Sequence, residues 1–192
     1  MSAFITYLLV VFVPLLQAIR RRRWPGLPIG VGVGVALMGL FLLTGAKSVG
    51  FGRGEILTVC CALAFALHFL ALEAFANASD AVRLNIVQLA VVAVACLLPG
   101  FFLGGYHFPM HTWLAVVYTG VAASAGAFFL QIWGQAHVDA TRASLVLLME
   151  PVFAAILGAA LGERLGWTGA AGAALILGGI VISEVVPGQN AR

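Results

Sequence analysis

Seven long apolar stretches alternate with short polar connections along this chain of 192 residues. A helix rises about 1.5 Å per residue and the hydrocarbon core of a bilayer is about 30 Å thick, so a spanning helix needs roughly 17 to 25 mostly apolar residues. The pattern therefore predicts seven transmembrane helices, at Ser2–Ile19, Pro28–Thr44, Glu55–Ala76, Leu84–Leu103, Thr112–Trp133, Arg142–Leu161 and Ala170–Val186.

The composition also indicates a membrane protein. Hydrophobic residues make up 62% of the chain and charged residues 9%, with a mean hydropathy of +1.09, whereas roughly a quarter of the residues are charged in soluble domains. A soluble protein could not cover its surface with so little polar material. We therefore expect an all-α integral membrane protein in the cell (plasma or inner) membrane, with the lipid bilayer as its surroundings.

The positive charge is concentrated in one place. The run Arg20 to Arg23 is larger than the whole net charge of +3, and a single basic cluster beside an apolar span is typical of a topology signal rather than of a nucleic-acid site. With the amino terminus outside and the carboxyl terminus cytoplasmic, seven Lys and Arg residues face the cytoplasm (Arg20 to Arg23, Arg83, Arg142, Arg192) and three face out (Lys47, Arg53, Arg164).

An internal repeat appears at an offset of 140 residues. Because an odd number of spans separates the two copies, they cross the membrane in opposite directions, which is a recurring plan of secondary transporters. The matching positions are Ala3 and Ala143, Leu8 and Leu148, Gly32 and Gly172, Leu37 and Leu177, and Gly39 and Gly179.

Glu150-Pro151 combines an ionisable side chain with a helix breaker inside the sixth span. A charge at that depth costs at least a few kcal/mol, and Pro151 frees the carbonyl of Leu147 because it has no N–H. On the functional interpretation, Glu150 binds a proton or a cationic substrate group in a cavity. On the structural interpretation, it bridges to a neighbouring helix beside a packing kink.

Four further polar side chains are candidates for a substrate cavity or for contacts between helices: His68, Gln88, Gln131 and Gln135. Glycines at steps of four predict close helix packing, at Gly26, Gly30 and Gly34 in the second span and along Ala154, Gly158 and Gly162 in the sixth. Cys60, Cys61 and Cys96 are interpreted as small buried apolar residues. The sequence shows no metal-ligand cluster, nucleotide motif or catalytic group, so we expect no metal, no cofactor and no enzyme.

At this point the chain resembles the EamA-like permeases of the drug/metabolite transporter superfamily. The resemblance rests on an ordered series of motifs: Leu130-Gln131-Ile132-Trp133-Gly134-Gln135, Thr141-Arg142-Ala143-Ser144, Glu150-Pro151-Val152-Phe153 and Gly162-Glu163-Arg164-Leu165, then Gly172 and Gly179. Ala3 to Leu16 and Gly32 to Leu43 are similar to the end of the family's first repeat.

The resemblance implies ten helices in two inverted five-helix repeats around a central solute path. Residues 1–44 would be the last two helices of the first repeat and residues 55–186 a complete second repeat, so about three amino-terminal helices would be missing from an incomplete inverted-repeat bundle. Arg23 stands where the second copy has Glu163. We expect helix kinks at Pro14 and Pro151.

The first functional hypothesis is export or exchange of small metabolites or drug-like compounds by alternating access, with Glu150 as the leading binding residue. The alternative is a truncated, non-transporting membrane remnant or an interaction protein. A homo-oligomer could also complete the bundle. A membrane enzyme is the third and least favoured hypothesis.

Overall fold

The computed structural model describes residues 2–45, 52–76, 80–102, 109–164 and 166–185. Within these ranges every regular element is helical. The elements are α1 (Ser2–Thr6), α2 (Leu9–Arg21), α3 (Leu27–Thr44), α4 (Arg53–Ala76), α5 (Ala81–Phe102), α6 (Thr112–Tyr118), a π-helical segment (Thr119–Gly126), α7 (Ala127–Gln135), α8 (Ala140–Leu147), α9 (Met149–Ala160) and α10 (Trp167–Val185).

The prediction of seven span-length helices is confirmed for the described part of the chain. The apolar spans are Phe4–Arg21, Leu27–Thr44, Arg53–Ala76, Ala81–Phe102, Thr112–Gln135, Ala140–Ala160 and Trp167–Glu184. The fourth span begins earlier than predicted because Asp80 Oδ1 accepts a hydrogen bond from the backbone N–H of Val82 at 2.8 Å, which satisfies a donor of the first helical turn. Several residues named in the sequence predictions lie outside the described ranges: Lys47, Leu103, Leu165, Val186 and Arg192.

The chain divides into two compact units. Unit 1 combines Met1–Ala71 with Asp139–Arg192, and unit 2 is Leu72–Val138. The core of unit 1 contains buried residues from α2, α3, α4, α8, α9 and α10. The smaller core of unit 2 is formed by Leu72, Ala76 and Ile132.

Unit 1 is organised around the close antiparallel packing of α3 against α10. A Cβ atom added at Gly32 would lie 2.6 Å from the carbonyl oxygen of Gly179, and one added at Gly39 would lie 2.5 Å from that of Gly172. The same closeness is seen from the other helix, where a Cβ at Gly172 or Gly179 would meet α3 backbone at 2.5 Å. Only glycine therefore fits at these four positions, and the two backbones touch.

The prediction that the second span packs closely through the face with Gly26, Gly30 and Gly34 is wrong. Added Cβ atoms at Gly30 and Gly34 would meet nothing within 4 Å in the described structure. Helix α3 carries glycines on two faces, one with Gly30 and Gly34 and the other with Gly32 and Gly39, and α10 packs against the second face. The prediction that the cysteines are buried is also wrong, because Cys60, Cys61 and Cys96 are exposed on helix faces of the described chain.

Candidate functional site

The side chain of Glu150 is hydrogen-bonded to Tyr7 inside unit 1, with the phenol donating to the carboxylate. Tyr7 lies in the first span and is half-buried, whereas Glu150 lies in the sixth span and is exposed on the surface of the described chain. The structure thus gives the leading candidate from the sequence a partner that is distant along the chain.

Both residues lie where a span is interrupted. The first span breaks between α1 and α2, where the N–H groups of Leu8 and Val10 donate to carbonyls only three residues back, at 3.1 and 3.0 Å. The sixth span breaks at Leu148, whose N–H donates to the Leu145 carbonyl at 3.0 Å. Leu8 and Leu148 are equivalent positions of the internal repeat, so the two breaks occur at matching places.

The two proline positions differ in their surroundings. Pro151 follows the break at Leu148 by three residues, as expected when the missing N–H of a proline removes a bond of the preceding turn. Pro14 is buried inside α2, and that helix remains continuous from Leu9 to Arg21. The first span is interrupted at Tyr7, about two helical turns before Pro14.

A second polar pair gives the depth of the site. The hydroxyl of Thr141 donates to Gln17 Oε1, and both side chains are buried. Ten residues separate Tyr7 from Gln17, and nine separate Thr141 from Glu150, as expected for two antiparallel spans in contact. At about 1.5 Å per residue this is roughly 14 Å, or about half of the hydrocarbon thickness. The Tyr7–Glu150 pair therefore lies deep in the span, far from the end that carries Arg20 to Arg23.

This depth determines what Glu150 can do. A carboxylate in hydrocarbon costs a few kcal/mol or more, so ionisable side chains at membrane depth face water, a partner or a bound solute. Tyr7 donates a single hydrogen bond, and a carboxylate can accept about four. The exposed remainder of the Glu150 carboxylate can bind a proton or accept hydrogen bonds from an ammonium or other donor group of a solute.

The buried Thr141–Gln17 bond should stabilise unit 1, and we predict the effect of removing it. Thr141→Val keeps the shape but leaves the acceptor of Gln17 without this donor, which should cost about 1–3 kcal/mol. Thr141→Ser keeps the hydroxyl and should lose less. The thermal unfolding midpoint of the protein in detergent measures both; equal midpoints for the two variants would contradict this role of the hydroxyl.

The amide candidates lie in unit 2 and contact one another or the backbone. Gln131 Nε2 is 3.5 Å from Gln135 Oε1, and Gln135 is buried. Gln88 Nε2 donates to Asn85 Oδ1 at 3.0 Å, and Asn85 Nδ2 donates to the carbonyl of Ala125 at 2.9 Å. Gln88 Oε1 is buried without a hydrogen-bond partner among the described residues.

The carbonyl that Asn85 binds lies in the π-helical segment Thr119–Gly126. Short π-helical turns widen a helix and leave backbone groups that side chains can bind. The sequence analysis did not predict this segment. His68 is half-buried in the part of α4 that belongs to unit 1.

Neither Tyr7, the partner of Glu150, nor Asn85, the partner of Gln88, was predicted from the sequence. Asn85 lies three residues before Gln88 on α5, so the spacing of neighbours on one helix face could have indicated it. Tyr7 could have been found only by aligning the first and sixth spans as an antiparallel pair. Among the described residues no three His, Cys, Asp or Glu side chains are grouped so that they could hold a metal ion.

Seven apolar spans, two interrupted helices and an acidic side chain at membrane depth define a multi-pass membrane protein. The sequence model of the EamA-like transporter family matches residues 52–184. The chain therefore belongs to the EamA-like transporter family.

The relatives are longer than this chain. A protein of Archaeoglobus fulgidus named "uncharacterized transporter" is 30% identical over 190 residues, which cover 95% of this chain and 66% of that protein. A protein of Streptantibioticus cattleyicolor named "probable terminal-alkyne amino-acid exporter" is 31% identical over 107 residues, or 55% of this chain and 36% of that protein. This chain thus spans about two thirds or less of the length of these relatives.

A solved crystal structure has the same fold. It superposes with a TM-score of 0.80 at 22% sequence identity, and the match covers 96% of this chain and 66% of that one. At this identity the likeness concerns the fold alone.

Proposed function

We propose that this chain transports small organic solutes, metabolites or drug-like compounds, across the cell membrane by alternating access, in the direction of export or exchange. The observation that carries the proposal is the Tyr7–Glu150 pair at the two equivalent helix breaks of unit 1. Interrupted helices that meet at mid-membrane are where secondary transporters place substrate and coupling-ion sites. Membership of the EamA-like transporter family supports it.

The packing of unit 1 also supports this mechanism. The glycine contacts between α3 and α10 join two backbones closely, whereas the first and sixth spans each contain a break with three-residue hydrogen bonds. Discrete bends at a few element-terminal residues are the usual way in which helices change direction between two states. We propose that the α3–α10 pair is the rigid support and that the broken spans move.

The amino-acid class is the first group of substrates to test. One relative carries the name of an amino-acid exporter, and the carboxylate of Glu150 suits a solute that carries an ammonium group. A metal, a cofactor and an enzymatic reaction have no place in the proposal, which requires only reversible binding. The division of the chain into a partial repeat at 1–44 and a complete repeat at 55–186 stays a prediction.

We place the amino terminus outside and the carboxyl terminus in the cytoplasm. The described residues Arg20 to Arg23, Arg83 and Arg142 then lie on the cytoplasmic side, which agrees with the excess of Lys and Arg in cytoplasmic loops. Labelling of single cysteines placed at Trp24 and at Trp167 with a membrane-impermeant reagent in intact cells tests this. Labelling of Trp24→Cys without labelling of Trp167→Cys would reverse the orientation.

Flux in proteoliposomes tests the function. The purified chain is reconstituted with an imposed proton gradient, and uptake and efflux of labelled amino acids and cationic dyes are followed against protein-free liposomes. We expect at least one solute to move faster with the protein and to accumulate only when the gradient is present. Leak rates equal to those of protein-free liposomes for the whole panel would overturn transport by this chain.

A further inference from the structure

A cavity of about 280 Å³ lies in unit 1 along α9. Its lining includes Thr44, at the end of α3, and Glu163 and Arg164, which follow α9. Pro151, Ala155 and Ala159 are among the residues of its apolar wall. Its volume is close to the lower limit of about 300 Å³ for small-molecule pockets, so it suits a ligand of few atoms.

The local fold fixes the Glu163 carboxylate at this cavity. Gly162 has a φ of 97°, and the N–H groups of Gly162 and Glu163 donate to the carbonyls of Ala159 and Gly158 at 3.1 and 2.9 Å. This is the glycine-dependent Schellman end of a helix. A Cβ atom at Gly158 would lie 2.6 Å from Glu163 Oε2, so the carboxylate lies directly over the glycine backbone of α9.

The cavity presents both signs of charge. No ion pair with another described residue occupies the Glu163 carboxylate or the Arg164 guanidinium. The Thr44 hydroxyl already donates its proton to the Leu40 carbonyl at 2.8 Å, so its oxygen can still accept a hydrogen bond. A carboxylate and a hydroxyl oxygen suit an ammonium group, a guanidinium suits a carboxylate, and the alanine wall suits a short apolar side chain.

The cavity is connected along α9 to the region of Glu150. Pro151, Ala155 and Ala159 follow one another at steps of four, so they share one face of α9, and Glu163 follows the end of that helix. The nine residue steps from Pro151, next to Glu150, to the end of the helix at Ala160 span roughly 14 Å at about 1.5 Å each. Because Pro151 lines the cavity and is adjacent to Glu150 in the chain, the cavity reaches the part of α9 next to Glu150.

We propose that this cavity is a second binding site for a small zwitterion of the α-amino-acid class, with Glu163 holding the ammonium group and Arg164 the carboxylate. The inference deepens the proposed function and rests on it for the role of the site. That role is to bind the solute after it leaves Glu150 toward the outside. The binding itself does not depend on transport. The ethanolamine headgroup of a phospholipid shares this chemistry, because it carries an ammonium beside an anion.

Binding to purified protein in lipid-free detergent tests the proposal. Labelled alanine and serine are measured by scintillation proximity on the unchanged chain and on Glu163→Gln, Arg164→Gln and Arg164→Lys. We expect each neutral variant to bind at least tenfold more weakly, Arg164→Lys to keep part of the affinity, and the surface control Arg83→Gln to be unchanged. Size-exclusion profiles confirm that the variants fold.

Three results would overturn the site. In the first, Glu163→Gln and Arg164→Gln bind the amino acids as tightly as Arg83→Gln does. In the second, the unchanged chain shows no measurable binding at millimolar concentration. In the third, short-chain phosphatidylethanolamine binds the cavity and no amino acid does. Glu150→Gln separates this inference from the proposed function. This variant should reduce flux by about ten- to a hundredfold while zwitterion binding at Glu163 persists. Absence of flux in every form, the unchanged chain included, with intact binding would remove only the transport proposal.

Discussion

Replacing Glu150 with alanine or glutamine is expected to reduce proton-driven flux by about ten- to a hundredfold. Hydrogen bonds to charged groups contribute about 1.5–3 kcal/mol, and each 1.4 kcal/mol corresponds to a factor of about ten. Alanine removes the carboxylate altogether. Glutamine still accepts the hydrogen bond from Tyr7 but neither titrates nor carries charge, so it separates binding of a proton or cation from a purely structural contact.

The neighbouring side chains supply the controls. Met149→Leu changes an apolar residue of similar volume beside Glu150 and should leave flux unchanged. Tyr7→Phe removes one hydrogen bond from Glu150 and should reduce flux only severalfold. Initial rates in proteoliposomes with equal amounts of folded protein measure all four variants. Unchanged rates in both Glu150 variants would refute the assignment of this residue to binding or coupling.

Replacing Gly39 with alanine is expected to destabilise the protein strongly, although alanine is the better helix former. The new Cβ atom would lie 2.5 Å from the carbonyl oxygen of Gly172 and 2.7 Å from the backbone nitrogen of Ile176. Neither atom belongs to a flexible side chain, so α3 and α10 must move apart. Overpacking of this kind costs about 1–3 kcal/mol and occasionally more, and we expect the upper end of that range.

Gly34 on the same helix is the matched control. Its added Cβ atom meets nothing within 4 Å, and the intrinsic preference for alanine over glycine in a helix is about 1 kcal/mol. Gly34→Ala should therefore leave the unfolding midpoint in detergent unchanged or raise it, whereas Gly39→Ala lowers it by several degrees. Midpoints that shift equally would show that α3 and α10 do not touch at Gly39.

The glycines show where reasoning from the sequence succeeds and where it stops. Gly32 and Gly39 were recognised as repeat positions matching Gly172 and Gly179, and the structure brings all four into contact. The helix period nevertheless indicated Gly26, Gly30 and Gly34 as the packing face. A glycine stripe says that a helix can be approached closely, but the partner helix decides which stripe is used.

The sequence predicted one residue of the candidate site, Glu150, but not its partner. A carboxylate beside a proline in an apolar span stands out in any sequence, because its burial is costly. Its partner Tyr7 lies more than 140 residues away, and only the antiparallel contact of the first and sixth spans brings the two together. The π-helical segment at Thr119–Gly126 likewise has no apolar periodicity of its own that would mark it.

The sequence by itself determined the membrane class and the seven spans, and it made Glu150-Pro151 a candidate, because span length, hydropathy and the cost of a buried charge are properties of local sequence. The tertiary structure decided which faces of the spans meet: Gly32 and Gly39 against α10, Thr141 against Gln17, Tyr7 against Glu150, and Glu163 over Gly158. Packing between helices in lipid depends on close steric fit and on hydrogen bonds between distant residues. Those interactions exist only once the chain has folded back on itself.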